Sequence, residues 1–387
     1  MSVRVCAPRF MSVGGGALGG IADLLERMGS IKNPLIVTDK FMSDSGLAGQ
    51  VQALLTQAGV TSAVYDAVLP DPTDTIVLAG IEMLERGGHD AVIGLGGGSP
   101  IDAAKAIAVM SSGSRNIQDY RPPMQSDTPG LPMVAIPTTA GTGSEVTHHA
   151  VVIHDASREK ISCRGEGFVP TAAIVDFKLT LTKPKRLIAD NGLDTLTHAI
   201  EAYVSRKATL YSDRMALDCM RLVAANLDAA YVDPEDLDAR EALMLAATFG
   251  GLAFSNASIA LVHAMSRPLG SLFHVPHGMS NAMLLPTVTE FSRSSALGRY
   301  ADCARVIGLA DDTTNDEVAS AALVDGLYAY NDRLDVPTLS GFGVNKAAYF
   351  AAADQMAQDA VRSGAPNNNP RVGTTQEIKD LFEEAWV

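Results

Sequence analysis

The chain has 387 residues, 47% of them hydrophobic and 19% charged, which is enough apolar material to bury the core of more than one domain. Its formal net charge of −14 argues against nucleic acid and anionic membranes as partners, because both attract basic surfaces. Four dispersed cysteines, without a C-x-x-C pair, argue against a disulfide framework and a thiolate zinc site.

Two further features favour a cytoplasmic location. The N-terminus lacks an apolar segment behind a basic stretch, which a secretory leader would have. No apolar run approaches the roughly 18 residues that a membrane span requires. We therefore expect a cytoplasmic protein that is not secreted and does not bind a membrane.

Strand-like and helix-like segments alternate from residue 1 to about residue 185. Such alternation predicts a largely parallel sheet with helices on both faces. We therefore expect an α/β, Rossmann-like nucleotide-binding domain over residues 1–185. The predicted strands include Leu35–Thr38, Ala91–Leu95, Met133–Ile136 and Ala173–Val175, and the predicted helices include Leu47–Ala58, Thr75–Glu85 and Ile101–Met110.

A glycine-rich turn follows the predicted strand Ala91–Leu95. The glycines at 96–98 would let a ligand approach the backbone, and Ser99 is the predicted N-cap of a helix with Pro100 in its first turn. Free N–H groups at the start of a helix favour a phosphate, so this turn predicts a pyrophosphate site. Ordinary turn chemistry is the alternative, because the G-x-G-x-x-G pattern is absent.

A second polar segment, PTTAGTGSE at residues 137–145, follows the next predicted strand, Met133–Ile136. It offers another cluster of hydroxyl groups on a flexible backbone. Two such clusters after successive strands indicate one long ligand that lies across the strand ends.

The chain after residue 185 is predicted to be helical almost throughout. Apolar residues recur there with the spacing of packed helices. We therefore expect an all-α second domain over residues 186–387. Its predicted helices are Leu196–Ser205, Ser212–Ala229, Ala239–Phe254, Met283–Phe291, Thr314–Tyr330 and Lys346–Arg362.

Four residues of this second half form a candidate set of metal ligands. Asp194 and His198 are four positions apart, so on a helix they lie on one face. His263 and His277 would approach the same ion from elsewhere in the fold. Oxygen and nitrogen ligands without thiolate suit Fe(II), Zn(II) or Mn(II). A chance pairing is the alternative, because the chain has 44 acidic residues and 8 histidines.

Four segments, in this order, resemble the iron-containing (group III) alcohol dehydrogenases: GLGGGSPIDAAKA, PTTAGTGSEVT, DTLTHAIEAY and HAMSRPLGSLFHVPHGMSNAMLLP. The resemblance covers essentially the whole chain, including NNNPRVGTTQEIKDLFEEA near the C-terminal end. It implies a dehydroquinate-synthase-like architecture and a homodimer. It also implies a metal-dependent oxidoreductase that transfers a hydride between NAD(H) and a primary alcohol or aldehyde.

The resemblance also implies the role of individual residues. The metal ion, Fe(II) or alternatively Zn(II), would be held by Asp194, His198, His263 and His277. The NAD cofactor would be lined by Gly97, Gly98, Ser99, Asp102, Thr138, Thr139, Thr142 and Lys160. The protein then supplies position and electrostatics, while the cofactor carries the hydride.

Asp39 bears on the choice of cofactor, because it ends the first clear strand in LIVTD. A carboxylate at such a strand end accepts hydrogen bonds from ribose hydroxyls and repels a 2′-phosphate, which favours NAD over NADP. The family resemblance agrees, since an acidic residue at this position accompanies NAD preference. A capping or turn role is the alternative for an isolated Asp after a strand.

Arg267 stands four residues after His263, where many relatives have a histidine. A guanidinium near the metal could bind a carboxylate or another anionic group, which predicts an ω-hydroxy acid or its semialdehyde as substrate. A structural ion pair or a helix-terminal charge is the alternative. Among the other histidines, His274 is predicted to pack or to support the site, and His148 and His149 to lie at a strand end.

Three competing functions make different demands on the sequence. A glycerol-dehydrogenase-like enzyme would oxidise a polyol with the same two domains. A dehydroquinate-synthase-like lyase would need a different ligand set and more basic residues. A non-catalytic nucleotide-binding scaffold would have damaged metal positions, whereas all four are present here.

Overall fold

The structure is a computed structural model that describes residues 3–386. Its internal contacts divide the chain into two units, which we call the α/β unit, Arg4–Thr182, and the helical unit, which comprises Val3 and the residues from Lys183 onwards. The boundary predicted from the sequence lies at residue 185. Each unit is described separately below.

A parallel six-stranded sheet forms the centre of the α/β unit, with the strand order β1-β8-β5-β4-β2-β3. The strands are β1 Phe10–Val13, β2 Pro34–Asp39, β3 Ala63–Val68, β4 Ala91–Gly96, β5 Met133–Pro137, β6 His149–His154, β7 Glu159–Arg164 and β8 Ala172–Val175. The helices are α1 Ile21–Arg27, α2 Lys40–Asp44, α3 Leu47–Gln57, α4 Asp74–Arg86 and α5 Gly98–Met110. The predicted α/β class of this half is confirmed.

Both faces of the sheet are apolar because helices cover both of them. Along β4, Val92 joins the core that includes α4 and α5, while Ile93 and Leu95 join the core that includes α1 and α3. Alternate side chains of a strand point to opposite faces, so a strand buried on both sides becomes a continuous apolar run. That run is the pattern from which β4 was predicted.

The strands β1, β3, β6 and β7 and the helices α1 and α2 were not among the predicted elements named above. β1 and β3 are the edge strands of the sheet, and β6 and β7 pair as an antiparallel hairpin outside it. The burial of β1 and β6 is interrupted by partly exposed residues, so neither presents the uninterrupted apolar run of a central strand.

Ten helices make up the described part of the helical unit, which confirms the predicted all-α class. They are α6 Lys185–Val204, α7 Leu210–Val232, α8 Leu237–Asn256, α9 Leu261–Phe273, α10 His277–Arg293, α11 Leu297–Val306, α12 Asp316–Arg333, α13 Leu339–Phe342, α14 Lys346–Arg362 and α15 Thr375–Glu384. Two predicted starts were wrong: α6 begins well before Leu196, and α10 begins well before Met283. The helix α9 was not predicted, and Pro268 lies inside it.

No single helix between residues 3 and 386 is both long enough and apolar enough to span a membrane. The consecutive helices α8 and α9 meet those criteria only when they are taken together, across a bend of 107°.

Candidate metal and nucleotide sites

The four predicted metal ligands meet in the helical unit. The Oδ1 atom of Asp194 lies 3.8 Å from His198 Nε2, 3.5 Å from His263 Nε2 and 3.7 Å from His277 Nε2. All four candidate ligand atoms lie within 4.8 Å of one another. One carboxylate oxygen and three imidazole nitrogens therefore converge on one point, and the pair predicted from helical spacing, Asp194 and His198, is part of that group.

Three helices bring these side chains together. Asp194 and His198 are one turn apart on α6, His263 lies in the first turn of α9, and His277 is the first residue of α10. The glycine after His277 has a packing role: a Cβ at Gly278 would lie 2.3 Å from the carbonyl oxygen of Asp190 on α6. The PHG segment thus lets the start of α10 approach α6 closely.

The histidine rings are held by contacts outside the ligand set. The ring of His198 stacks on Phe254 at a centroid distance of 4.4 Å and on the ring of His263 at 4.5 Å. The Nδ1 atom of His263 lies 2.7 Å from Oε2 of Glu201. The sequence prediction missed Glu201, although it lies seven residues after Asp194 in the motif DTLTHAIEAY, on the same face of α6.

Asn281 is a second missed residue of this site. Its Nδ2 atom lies 2.7 Å from Asp194 Oδ1, 3.1 Å from His263 Nε2 and 3.3 Å from His277 Nε2. Its buried Oδ1 atom has no hydrogen-bond partner among the described residues. The only sequence signal is its spacing, because it follows His277 by one helical turn.

The electrostatics of the cluster favour a charged carboxylate. Burial by itself raises the pKa of the Asp194 carboxyl, but the imidazoles of His198, His277 and His263 outweigh it and hold that pKa well below its usual range. Burial lowers the pKa of His263, but Glu201 and Asp194 outweigh it and raise the value to about 9. The side chain of His277 is 49% exposed, whereas that of Asp194 is 3% exposed, so the cluster opens on the His277 side.

Arg267 lies one helical turn after His263 on α9. Among the described residues, its guanidinium has no hydrogen-bond acceptor within 3.5 Å and no carboxylate within 4.0 Å. Burial lowers the pKa of Arg267, and the more distant Glu201 carboxylate acts in the opposite direction. The alternative of a structural ion pair is therefore wrong, and so is that of a helix-terminal charge, because the last turn of α9 contains no basic residue. His274 is the exposed C-cap of α9 with a φ of 56°, so its predicted packing role is also wrong.

The predicted pyrophosphate turn lies where the strand order of the sheet reverses. The strand β3 lies on one side of β2 and β4 on the other, so the ends of β2 and β4 flank the crevice in which such sheets bind ligands. Gly96 ends β4 with a φ of 145°, which an L side chain rarely adopts, and α5 begins two residues later at Gly98. The N-cap of α5 is Gly97, so the predicted capping role of Ser99 is wrong. Ser99 Oγ instead accepts a hydrogen bond from the backbone N–H of Asp71 at 3.2 Å.

The threonine segment after β5 lies directly against this turn. A Cβ at Gly97 would lie 3.5 Å from Cγ2 of Thr139, and a Cβ at Gly98 would lie 3.1 Å from Cγ2 of Thr142. The backbone N–H of Thr138 donates to Gly96 at 2.9 Å, and the Thr138 hydroxyl is buried without a partner among the described residues. The two segments that were predicted to share one ligand are therefore in contact.

A buried network holds this arrangement together. Asp102 accepts hydrogen bonds from Ser144 Oγ at 2.6 Å and from the Val151 backbone at 2.9 Å. The sequence prediction missed Lys105, whose Nζ donates to Ser144 Oγ, to both oxygens of Thr147 and to the His149 carbonyl. Burial raises the pKa of Asp102 and lowers that of Lys105 to about 8. The helix α5 is thereby joined to residues 144–151.

Asp39 and Lys160, which were predicted to contact the cofactor, each have a hydrogen-bond partner nearby. Asp39 is the N-cap of α2, and its Oδ1 accepts a hydrogen bond from the Met42 backbone at 2.9 Å, as the capping alternative predicted. Lys160 lies 2.8 Å from Oδ2 of Asp71, the residue whose backbone contacts Ser99. Lys160 is thus connected to the glycine turn through Asp71.

Two family models match the chain, one to each half. Residues 8–177 match the iron-containing alcohol dehydrogenase model, and residues 188–386 match the C-terminal model of the Fe-containing alcohol dehydrogenase family. The lactaldehyde reductase of Escherichia coli K12 is 36% identical over 379 residues, which cover 96% of this chain and 97% of the relative.

Two solved structures share the whole fold. The 1,3-propanediol oxidoreductase structure covers 100% of both chains with a TM-score of 0.95 and 32% identity. The sulfoacetaldehyde reductase of Bifidobacterium kashiwanohense, solved in complex with NAD+, covers 100% of this chain and 99% of its own, with a TM-score of 0.88 and 29% identity. The resemblance drawn from the four motifs is confirmed: the chain belongs to the iron-containing alcohol dehydrogenase family, whose members are oxidoreductases of alcohols and aldehydes.

Proposed function

We propose that this enzyme transfers a hydride between NAD(H) and a small primary alcohol or aldehyde, using a divalent metal ion held by four side chains. Those side chains are Asp194, His198, His263 and His277. The observation that carries the proposal is the convergence of one carboxylate oxygen and three Nε2 atoms within 4.8 Å. A cytoplasmic location and a homodimer are part of the proposal, and sedimentation would test the dimer.

The cluster fits a metal ion by distance and by chemistry. Its oxygen-to-nitrogen distances of 3.5 to 3.8 Å are close to the separation of about 3.4 Å between ligands of a tetrahedral ion with bonds of about 2.1 Å. A donor set of one oxygen and three nitrogens suits Fe(II), with Zn(II) as the alternative. The ion would act as a Lewis acid on the substrate oxygen.

The burial of Asp194 and the exposure of His277 indicate the side from which a substrate reaches the site. Asp194 contributes a negative charge that offsets the charge of a cation, and its burial keeps bulk water away from that side. The exposed side chain of His277 marks the side from which a substrate can enter. The relatives named above act on lactaldehyde and 1,3-propanediol, so a small substrate fits the family.

We assign the cofactor to the glycine turn and the threonine segment of the α/β unit. Gly97 and Gly98 would admit the pyrophosphate to the start of α5, where backbone N–H groups are free to bind it. The related sulfoacetaldehyde reductase binds NAD+, which supports this choice of cofactor. Ser99, Thr138, Thr139 and Thr142 would contact the cofactor, while Asp102 and Lys160 would position the segments that do.

The metal site is tested by replacing two histidines in turn: His263, which lies in α9, and His274, which is the C-cap of that helix. His263→Ala should lose bound metal and turnover, because it removes a buried ligand, and should retain NAD binding. His274→Ala is the matched control, since His274 is exposed and outside the cluster. Metal content, NAD affinity and NADH-dependent aldehyde reduction are measured for both. Wild-type metal content in His263→Ala would refute the metal site.

We further propose that Arg267 binds an anionic group on the substrate, such as the carboxylate of an ω-hydroxy acid. The guanidinium of Arg267 is partly buried and has no acceptor among residues 3–386, which leaves hydrogen-bonding capacity that an anionic ligand would satisfy. Its position one turn after His263 places it on the same face of α9 as a proposed metal ligand. The related sulfoacetaldehyde reductase acts on an aldehyde with an anionic sulfonate.

Arg267→Met tests this assignment on two alcohols of equal chain length, 4-hydroxybutyrate and 1-butanol. A lost charge-assisted contact of about 1.5–3 kcal/mol lowers kcat/KM by roughly 10- to 100-fold. We expect that loss for 4-hydroxybutyrate and little change for 1-butanol, with Arg267→Lys intermediate because it keeps only the charge. Equal losses on both substrates would mean that Arg267 does not recognise the anionic group.

A further inference from the structure

Glu201 is a buried carboxylate that links two helices at the proposed metal site. It lies on α6, and its side chain is 3% exposed. Its Oε2 accepts a hydrogen bond from the Ala260 backbone at 2.8 Å, and its Oε1 accepts one from the Val262 backbone at 2.6 Å. These two donors belong to the start of α9, so Glu201 holds the segment that carries His263.

The same carboxylate contacts the ring of His263. Oε2 lies 2.7 Å from Nδ1, while Nε2 on the other side of the ring lies 3.5 Å from Asp194 Oδ1. A carboxylate oxygen can only accept, so the ring nitrogen that faces it must carry the hydrogen. A neutral imidazole with its hydrogen on Nδ1 has a free lone pair on Nε2, the atom that points at the other candidate ligands.

The effect of Glu201 extends to a second ligand. The rings of His263 and His198 stack at 4.5 Å with an interplanar angle of 18°, so a rotation of the first ring would displace the second. The third imidazole, that of His277, lies on α10 and is half-exposed. Two of the three imidazoles therefore depend on the carboxylate.

We propose that Glu201 is a positioning residue that fixes the Nδ1-protonated form and the ring orientation of His263, and that it thereby sets the affinity of the site for a divalent metal. The proposal rests on the metal site proposed above. Glu201 does not ligate the ion; it acts through the histidine that does.

The test uses Glu201→Gln, with Asp236→Ala as a matched control. Glutamine keeps the size of the side chain but has only one acceptor for three donors. Asp236 also accepts from a helix N-terminus, at 3.0 Å from the Ala239 backbone on α8, and it lies outside the metal cluster. Both variants weaken a helix start, but only the first touches a histidine of the site.

Three measurements separate the two roles of Glu201. They are the dissociation constant for Zn(II) in competition with a chromophoric chelator, the ¹⁵N spectrum of labelled histidine rings with and without Zn(II), and urea unfolding of the metal-free proteins. We expect Glu201→Gln to bind Zn(II) about 10- to 100-fold more weakly and to lose or shift the Nδ1–H signal of His263. Asp236→Ala should unfold at lower urea with Zn(II) affinity and ring signals unchanged.

Wild-type Zn(II) affinity and an unchanged Nδ1–H signal in Glu201→Gln would overturn the proposal and leave Glu201 as a cap of α9. If that variant does not fold, Glu201→Asp replaces it, since it keeps the charge but shortens the side chain by one methylene. Wild-type Zn(II) affinity and unchanged ring signals in Glu201→Asp would also overturn the proposal. Failure of the wild-type protein to bind Zn(II) would refute the metal site itself. The ring signals of the metal-free proteins would then still decide whether Glu201 sets the state of His263.

Discussion

Asp39 caps α2 with one carboxylate oxygen. We also predict that its negative charge favours NAD over NADP. The two roles can be separated because asparagine is as good an N-cap as aspartate but carries no charge. We expect Asp39→Asn to raise the ratio of kcat/KM for NADP over NAD by about tenfold or more, because the repulsion of the 2′-phosphate is removed. Urea unfolding should show little change.

Asp39→Ala serves as the comparison, since it removes the charge and the cap together. It should shift the cofactor ratio in the same direction and also lower the free energy of unfolding by about 0.5–2 kcal/mol. If the cofactor ratio stays at its wild-type value in both variants, Asp39 is a cap alone.

His148, next to the threonine segment, should make the protein sensitive to acid. Burial, together with the charges of Lys105 and Arg164, lowers its pKa to about 4 from an ordinary value of 6.5. Between these two values the unfolded chain binds more protons than the folded one, so stability is lost as the pH falls from about 6.5 towards 4. His148→Gln, which cannot be protonated, should lose less stability over this range.

Urea midpoints at pH 7.0 and pH 4.5 give the measurement for His148. His274→Gln is a control for histidine replacement, because that side chain is exposed and should leave the acid-induced drop unchanged. A drop in His148→Gln as large as in the wild-type protein would contradict the expectation.

At the level of elements, the close contact of α10 with α6 depends on Gly278, because glycine has only a hydrogen atom in place of a side chain. A methyl group there would lie 2.3 Å from the Asp190 carbonyl oxygen and 3.3 Å from the Asp194 Cβ, so the start of α10 must move outwards. We expect Gly278→Ala to cost about 1–3 kcal/mol of stability and to weaken Zn(II) binding at least about tenfold, because His277 moves with the helix.

Gly298→Ala is the matched control for Gly278→Ala. It also adds a methyl group in the first turn of a helix, but the nearest atom, Asp316 Oδ2, would be 3.4 Å away. Zn(II) affinity by chelator competition should be unchanged in this variant. A Gly278→Ala protein with wild-type Zn(II) affinity would show that the start of α10 can yield without displacing His277.

The helix boundaries show which features of the helical unit apolar spacing did not predict. The apolar spacing located the cores of most helices of the helical unit, but α10 begins at His277 because Pro276 and the PHG contact with α6 set its start, not an apolar period. The helix α9, which was not among the predicted helices, contains Pro268, a residue that normally ends a helix. Tertiary packing outweighed local preference at both places.

At the scale of the whole molecule, the sequence identified site residues that regular spacing along a helix brings together. It did not identify site residues whose partners are far away along the chain. Asp194 and His198 share a helical face, so their pairing could be read from the chain. Glu201 and Lys105 each contact residues more than 35 positions away, and nothing in the chain marks those partners. The contact of Gly97 with Thr139 was expected only because both follow neighbouring strands of a parallel sheet.

The sequence by itself determined the two fold classes, the glycine and threonine segments, and the four residues that converge as candidate metal ligands. The fold classes and the pairing of Asp194 with His198 follow from local periodicity and residue chemistry, while the addition of His263 and His277 and the roles of the two polar segments also relied on the resemblance of four motifs to a known family. Only the tertiary structure decided which oxygen faces which ring nitrogen at His263, that Arg267 has no acidic partner within ion-pair distance in the described part of the chain, and that Ser99 is not a cap. Such facts depend on distances between segments far apart in sequence, and those distances are set by packing of the whole fold rather than by any local pattern.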